Sequence, residues 1–473
     1  MSPTMRDETQ RPVRWRGGAG RLLALPTLFL AFALILTACG GGTSTATTGA
    51  ASSSAPASGA PSTGASTAPS TSAAPAPSAA PSTSAAPTSG TGASSAPATR
   101  TTGTTATAPT TAGTATRPGS AATAGAAATP NSSIKITGPY PGEAKTLNGA
   151  GSTFVQVLFS KWFDDYSKMT NVNINYQGNG SGAGKKAITD QTVNFAASDA
   201  FMTDQELKDA QAKCGDTILH FPIALGAVVV TYNVPGLENT KLKMDGDLIA
   251  GIFSGAITKW SDQKIKDQNP GVNLPNNDIV VVHRSDGSGT TDIFTSYLTA
   301  VSSSWASGPK SGTTVNWPTG IGASGNAGVA GELKNNPNSI GYVELAYANQ
   351  QKLPVADLKN KAGQYTAPSN AGVTAAAEQF APTAPADLRL KIVNADGAAS
   401  YPISGMTWVL VCPKQTDQAK AVALTRMLWW GLHDGQSQNE GLDYAKVPNS
   451  FVVREEQFIN QITVNGQKAF PGK

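Results

Sequence analysis

Residues 283–294 read HRSDGSGTTDIF and place one arginine, one aspartate and a run of glycine and hydroxyl residues between two regular elements. The preceding DIVVV, residues 278–282, is β-branched and apolar, which predicts a buried strand. Large apolar residues then recur at helical spacing over residues 293–298. Similar strand-like and helical runs alternate along residues 146–473, which favours an α/β protein with largely parallel sheets.

A turn between a strand and a helix is suited to hold an anion. The first backbone N–H groups of the helix have no intrahelical partner and point into the turn. Arg284 would add a planar, permanently charged set of donors. The alternative interpretation is an ordinary helix cap beside a surface arginine.

Three other segments have related features. LNGAGSTF, residues 147–154, precedes a helical pattern, and INYQGNGSGAGKKAI, residues 174–188, takes a strand into a glycine-rich turn that carries Ser181. In NFAASDAFMTDQEL, residues 194–207, a strand is predicted to end near Asp199, and a capping box is predicted further on. Here the polar residue is an acid, so one acceptor stands among several donors.

The first 38 residues have the pattern of a secretory signal peptide. Residues 1–21 carry five arginines against two acids, and the apolar run LLALPTLFLAFALILTA leads to Cys39. The sequence LTAC resembles the bacterial lipobox, in which the peptide is cleaved before the cysteine and a lipid is attached to its sulfur. We therefore expect a lipoprotein on the outer face of the cytoplasmic membrane, and the alternative is an uncleaved membrane anchor.

Residues 39–131 are almost wholly Ala, Pro, Ser, Thr and Gly, which predicts a disordered tether. The full chain has 35 basic and 31 acidic residues, and 30 and 29 remain without the five arginines and two acids of the signal peptide. That balance predicts no nucleic-acid surface. The other cysteines are Cys214 and Cys412, and their spacing leaves open whether they are bonded.

Enzymatic chemistry finds little support in these motifs. In NGSGAGKK, residues 179–186, Asn179 stands where a P-loop requires its first glycine, and Lys186 stands where it requires Ser or Thr. Neither serine of the glycine-rich turns lies in a G-x-S-x-G elbow. The histidines His220, His283 and His433 lack metal-ligand spacing, so we expect neither a metal nor a cofactor.

Four ordered motifs, GAGSTF, YQGNGSGAGKKAI, NFAASDA and RSDGSGTT, together resemble the periplasmic phosphate-binding proteins of the high-affinity phosphate ABC transporter. The stretches FPIALGAVVVTYNVPGL, IFSGAITKWSD and NSIGYVELAYA resemble the same family, and the similarity covers residues 146–470. The resemblance implies an α/β, two-lobed periplasmic-binding-protein fold of the class II type, with the ligand cleft between the lobes. Residues 146–227 and 400–473 would form the first lobe, and residues 228–399 the second.

The resemblance also implies a set of ligand contacts. Carried over by motif, the phosphate-binding groups are Thr153, the N–H of Phe154, Ser181, Asp199, Arg284, Ser288 and the amides of Gly289 and Thr290, with Asp286 orienting Arg284. The implied partners are inorganic phosphate and the permease subunits of an ABC transporter with their ATPase, for a monomer held to the membrane by its lipid. The alternatives are binding of another tetrahedral oxyanion, or a surface phosphatase or antigen with the same fold.

Overall fold

The structure, a computed structural model, describes residues 129–472. The predicted signal peptide, the lipid-bearing Cys39 and all but the last three residues of the predicted tether lie outside the described residues. Within residues 129–472 no helix combines the length and the apolar character that crossing a membrane requires.

Strands and helices alternate through most of the described chain. The strands are β1 (Thr146–Gly151), β2 (Asn173–Gly178), β3 (Phe195–Ser198), β4 (Leu219–Asn233), β5 (Lys243–Met244), β6 (Val280–Arg284), β7 (Ile321–Ala323), β8 (Ser339–Glu344), β9 (Asp357–Lys359), β10 (Tyr365–Thr366), β11 (Ser404–Val411), β12 (Lys414–Gln415), β13 (Thr463–Val464) and β14 (Gln467–Lys468). The helices are α1 (Gln156–Thr170), α2 (Ser181–Thr189), α3 (Asp204–Cys214), α4 (Gly246–Phe253), α5 (Gln263–Gln268), α6 (Gly289–Val301), α7 (Ser303–Ser307), α8 (Gly325–Asn335), α9 (Leu345–Gln351), α10 (Asn370–Phe380), α11 (Gln418–Leu432) and α12 (Asn449–Ile459), with 3-10 turns at Ala381–Thr383, Gly435–Gln438 and Glu440–Leu442.

One eight-stranded sheet, in the order β2-β1-β3-β11-β4-β8-β6-β7, runs through the molecule. We call the part built on β1, β2, β3 and β11 the first lobe and the part built on β6, β7 and β8 the second lobe. The predicted α/β class and the two-lobed fold are confirmed. The prediction of largely parallel pairing holds for four of the seven pairings of this sheet. It is wrong for the joining strands, because β11 is antiparallel to β3 and β4, and β4 is antiparallel to β8. Both joining strands therefore break the parallel pattern that each lobe keeps elsewhere.

Strand β4 connects the two lobes. Its residues 219–227 pair with β11 of the first lobe, and its residues 228–233 pair with β8 of the second. Its sequence, LHFPIALGAVVVTYN, is nearly uncharged and is buried along almost its whole length, as a central strand covered on both faces must be. The pairing partner changes between Ala227 and Val228, so the strand passes from one lobe to the other without a break.

The helices begin where the sequence places their signals. Thr203 caps α3, and its side chain and that of Glu206 form the predicted capping box. In α1 the apolar residues at helical spacing face the core, whereas Lys161 and Asp165 form an ion pair on the outer face. The cap at its first turn and the apolar face packed on the core together fix the direction of each helix. They therefore also fix where its first N–H groups point.

A disulfide bond joins Cys214 to Cys412, whose Cα atoms are 5.3 Å apart. Cys214 is the last residue of α3, and Cys412 follows β11 directly. The bond therefore ties a helix of the first lobe to the strand that returns from the second lobe, and it closes a stretch of chain with a sequence separation of 198.

Candidate functional site

The four polar turns meet between the two lobes. Ser152 follows β1, Ser181 begins α2 after β2, and Asp199 follows β3. Because β1 is parallel to both β2 and β3, the carboxyl ends of these strands meet at one edge of the sheet. The turn between β6 and α6, which follows Arg284 at the end of β6, approaches the same place from the second lobe.

Several close contacts place the turns of the two lobes against each other. The backbone N–H of Gly182 donates to the carbonyl oxygen of Gly287 at 2.8 Å. A Cβ atom built on Gly289 would lie 2.6 Å from both the Oγ of Ser181 and the Cβ of Asp199. Only a residue without a side chain permits this approach, so the lobes are closed on each other at the site.

The polar side chains of the site are shielded from water. None of the following is more than 6% exposed: Ser152, Thr153, Ser181, Asp199, Arg284, Ser288 and Thr290. Buried polar groups are stable only when they are hydrogen-bonded, and a buried charge requires a partner. The contacts of each group therefore indicate what the site is built to hold.

Arg284 is the cation of the site, and Asp286 holds it. The Nε of Arg284 donates to one carboxylate oxygen of Asp286 at 2.7 Å, and Nη2 donates to the other at 2.5 Å. Burial alone would raise the pKa of Asp286, but the hydrogen bonds and the charge of Arg284 outweigh burial and hold this pKa below its usual range. The backbone N–H of Gly325 also donates to Asp286, at 3.0 Å. This two-point contact fixes the plane of the guanidinium.

Asp199 is the acid among the donors. The hydroxyl of Ser152 lies 2.6 and 2.7 Å from its two carboxylate oxygens, and the hydroxyl of Thr407 donates to Oδ1 at 2.7 Å. Burial raises the pKa of Asp199 to about 6, although the hydrogen bonds of Ser152 and Thr407 and the charge of Arg284 oppose the increase. Asp199 therefore changes its protonation state close to physiological pH.

Two helices begin at the site. Ser288 is the N-cap of α6, and its Oγ accepts from the backbone N–H of Thr291 at 3.0 Å, as in the ordinary cap considered from the sequence. The amides of Gly289 and Thr290 belong to the first turn of α6, where N–H groups lack intrahelical acceptors. Ser181 is the first residue of α2, whose N-cap is Gly180. Both helix ends direct partial positive charge at the space between the lobes.

The backbone around Phe154 is held by contacts on several sides. Its N–H donates to the Oγ of Ser152 at 2.9 Å, and its carbonyl oxygen accepts from the hydroxyl of Tyr444 at 2.6 Å. The neighbouring carbonyl oxygen, that of Thr153, accepts from the hydroxyl of Tyr347 in the second lobe at 2.6 Å. The predicted donor N–H of Phe154 thus has an acceptor within the protein, and its role toward a ligand stays a prediction.

Sequence reasoning did not identify Asn326 or Thr407 as part of the site, and it placed Ser152 in a polar turn without assigning it a contact. Asn326 is fully buried and contacts the hydroxyls of both Thr153 and Thr290, whereas Ser152 and Thr407 contact Asp199. A signal for Asn326 was present, because GASGNAG is a further glycine-containing turn between a strand, β7, and a helix, α8. Thr407 lies within a buried strand and has no local signal.

The three histidines lie in packing positions. The His283 ring stacks on Trp317, the His433 ring stacks on Trp429, and buried His220 accepts a hydrogen bond from a backbone N–H. Within residues 129–472 no group of histidine, cysteine and acidic side chains is arranged to hold a metal ion. The arrangement of the site is suited to holding a small anion by hydrogen bonds from two sides.

The fold and this enclosed site define a two-lobed solute-binding protein. Residues 104–424 match the family described as the PBP superfamily domain. Solved structures with this fold include a high-affinity periplasmic phosphate-binding protein, PfluDING, bound with phosphate, with 21% identity and a TM-score of 0.55 over 69% of this chain and 98% of that one. Another is a phosphate-binding protein from Stenotrophomonas maltophilia, with 20% identity and a TM-score of 0.53 over 70% and 99%.

Relatives with similar sequences identify the family within the class of two-lobed solute-binding proteins. The phosphate-binding protein PstS of Xylella fastidiosa is 41% identical over 312 residues, which are 66% of this chain and 84% of the relative. The PstS protein of Haemophilus influenzae is 37% identical over 66% of this chain and 91% of the relative, and PstS3 of Mycobacterium bovis is 32% identical over 68% and 88%. The chain belongs to the PstS family of phosphate-binding proteins.

Proposed function

We propose that the protein captures inorganic phosphate between its lobes and delivers it to an ABC importer. The observation that carries the proposal is the shielded site itself, in which donors from both lobes surround the carboxylate of Asp199 and the pair formed by Arg284 and Asp286. Arg284, the hydroxyls and the amides at two helix starts offer hydrogen-bond donors to an oxyanion. The ligand contacts proposed from sequence are Thr153, the N–H of Phe154, Ser181, Asp199, Arg284, Ser288, Gly289 and Thr290. Membership of a family of phosphate-binding proteins supports the same ligand.

Titration calorimetry with phosphate, arsenate and sulfate tests this proposal directly. We expect phosphate to bind tightly, arsenate to bind more weakly and sulfate to bind least. Tight binding of sulfate with weak binding of phosphate would favour the alternative of another tetrahedral oxyanion. Steady release of phosphate from phosphoesters would instead favour the phosphatase alternative.

Asp199 accounts for the choice of phosphate over sulfate. Near neutral pH phosphate keeps at least one proton, which an ionised carboxylate can accept, whereas sulfate has no proton to donate. Against sulfate, the buried carboxylate would be an unpaired acceptor facing a negative charge. Selectivity would thus come from an unfavourable contact as well as from favourable ones.

Replacing Asp199 with Asn should lower the preference for phosphate over sulfate by about tenfold to a hundredfold. Because burial raises the pKa of Asp199 to about 6, the unmodified carboxyl gains a proton as the pH falls through that value. The preference of the unmodified protein should therefore decline between about pH 7 and pH 5, and the preference of the variant should not follow that change. Calorimetric titrations with both anions across this pH range provide the measurement.

Asp245→Asn is the matched control, since Asp245 caps α4 by accepting from the N–H of Leu248 and asparagine caps equally well. This control should keep both the affinity and the pH dependence. If Asp199→Asn retained the full preference for phosphate and lost only thermal stability, the assigned role of Asp199 would be wrong.

We propose that the lobes move about a hinge, with residues 146–227 and 400–473 in the first lobe and residues 228–399 in the second. The change of pairing partner along β4 between Ala227 and Val228 supports this division. A ligand that contacts donors of both lobes favours the closed form, because only that form brings both sets within reach.

We also propose that Cys39 carries a lipid that holds the protein on the outer face of the cytoplasmic membrane, where a permease with its ATPase receives phosphate. The LTAC sequence supports this, and a long Ala, Pro, Ser and Thr-rich segment separates Cys39 from the two lobes. Cys39→Ala should abolish lipid attachment and leave phosphate affinity unchanged. Metabolic labelling with a radioactive fatty acid checks the first result, and labelling of the variant at the unmodified level would refute the assignment.

A further inference from the structure

We infer that Asn326 is a positioning residue that fixes the hydroxyls of Thr153 and Thr290 as donors toward the bound anion, and that it fixes the hydroxyl of Thr153 only when the lobes are closed. The inference rests on the proposed phosphate binding and deepens it. It concerns the direction of each hydroxyl proton, which decides whether a hydroxyl attracts or repels an oxyanion.

Asn326 is the second residue of α8 and is fully buried. Its Oδ1 accepts from the backbone N–H of Glu344 at 3.0 Å. A backbone N–H can only donate, so the oxygen of the amide must face Glu344 and the NH2 group must face the site. The orientation of this side chain is therefore set by a contact outside the site.

The hydroxyl of Thr153 receives two hydrogen bonds from Asn326. The backbone N–H of Asn326 donates to its Oγ1 at 3.1 Å, and the side-chain Nδ2 donates at 3.0 Å. Both partners are donors only, so the two lone pairs of the hydroxyl oxygen are occupied. The single proton of Thr153 must then point away from Asn326, and the hydroxyl can act toward a further group only as a donor.

The hydroxyl of Thr290 is in the same situation. Its Oγ1 lies 3.1 Å from the Nδ2 of Asn326 and 3.3 Å from the Nη1 of Arg284, and both groups donate. A single NH2 group thus contacts one threonine in each lobe. Both threonine protons remain for acceptors, and the oxygen atoms of phosphate are acceptors.

Closure and donor direction are linked through this contact. Thr153 belongs to the first lobe, whereas Asn326 and Thr290 belong to the second, so separation of the lobes removes both hydrogen bonds that Thr153 receives. In an open form its hydroxyl rotates freely and can accept as well as donate. Closing therefore orders the donor that the anion requires, and part of the ordering entropy is lost in closure instead of in ligand binding.

The test compares how much phosphate affinity is lost on removing the Thr153 hydroxyl in the presence and in the absence of Asn326. In the otherwise unmodified protein, Thr153→Val should weaken phosphate binding about tenfold. In an Asn326→Ala background, where the Thr153 hydroxyl is no longer oriented, the same change should cost about threefold or less. Asn326→Ala alone should weaken binding about tenfold to a hundredfold. Calorimetry with inorganic phosphate gives the four dissociation constants, and circular dichroism checks the fold of each variant.

Asn349→Ala is the matched control, because Asn349 of α9 donates to Asp443 at 2.8 Å on the surface, away from the binding groups. It should change phosphate affinity by less than about twofold, as expected for a surface contact.

If Thr153→Val weakens phosphate binding by the same factor in both backgrounds, Asn326 only holds the lobes together and the inference is overturned. If Thr153→Val leaves the phosphate affinity of the otherwise unmodified protein unchanged, the Thr153 hydroxyl does not donate to the anion, and the inference is likewise overturned. If Asn326→Ala does not fold, Asn326→Ser takes its place in the comparison. Absence of phosphate binding by the unmodified protein would instead contradict the proposed function itself.

Discussion

Replacing Gly289 with alanine should weaken phosphate binding by about a hundredfold and leave the fold intact. The added Cβ would lie 2.6 Å from the Oγ of Ser181 and the Cβ of Asp199, and 2.7 Å from the backbone nitrogen of Asp199. All three atoms belong to the opposite lobe, and the backbone nitrogen cannot rotate out of the way. The methyl group is thus tolerated when the lobes are apart but obstructs their closed contact.

Calorimetry measures the loss of phosphate affinity. The rise in melting temperature on adding phosphate provides a second readout, because a ligand that binds the folded state stabilises it. Gly331→Ala is the matched control. Gly331 also lies in a helix of the second lobe, α8, but a Cβ atom there meets nothing within 4 Å. An unchanged dissociation constant for Gly289→Ala would show that the lobes do not need this contact to hold the anion.

Replacing Arg284 with alanine is expected to weaken phosphate binding by about one to two orders of magnitude. The substitution removes the cation of the site and leaves the carboxylate of Asp286 without its two-point partner. Hydrogen bonds to charged groups contribute about 1.5 to 3 kcal/mol each, which sets the scale of the loss. Binding should not vanish, because the amides at the starts of α2 and α6 still face the anion.

Lysine at position 284 should recover only part of the loss, because an ammonium group lacks the planar fork that contacts both oxygens of Asp286. Arg454→Ala is the control for removing an arginine elsewhere, since Arg454 donates to the carbonyl oxygen of Ala384, outside the site. The dissociation constants of the three variants are compared at constant ionic strength. If Arg284→Ala bound phosphate as tightly as the control, the anion would lie elsewhere in the protein.

Much of the site could be predicted from sequence because its signals are local. Glycine and hydroxyl residues between an apolar strand and an apolar helical pattern predict a turn at a helix start, and the turns that carry Ser181 and Ser288 have this structure. The capping box at Thr203 was predictable for the same reason. The residues that determine the conformation of each turn lie within about ten positions of one another.

The contacts that join these turns could not be predicted in that way. Asn326 and Thr153 are 173 positions apart, and Thr407 and Asp199 are 208 positions apart. Such pairs result from the packing of whole lobes. Periodicity and motif spacing predict only contacts between residues that are close in sequence. The direction of strand pairing likewise depends on the connections between strands, so the antiparallel pairing of β4 and β11 was not predicted.

The bond between Cys214 and Cys412 has a topological consequence for the second lobe. The ring of chain that it closes contains β4 to β11 and therefore every helix from α4 to α10. A single proteolytic nick between these cysteines opens the ring but releases no fragment, because both pieces stay covalently joined through the sulfur atoms. Proteolytic damage to the second lobe would therefore leave the molecule in one piece.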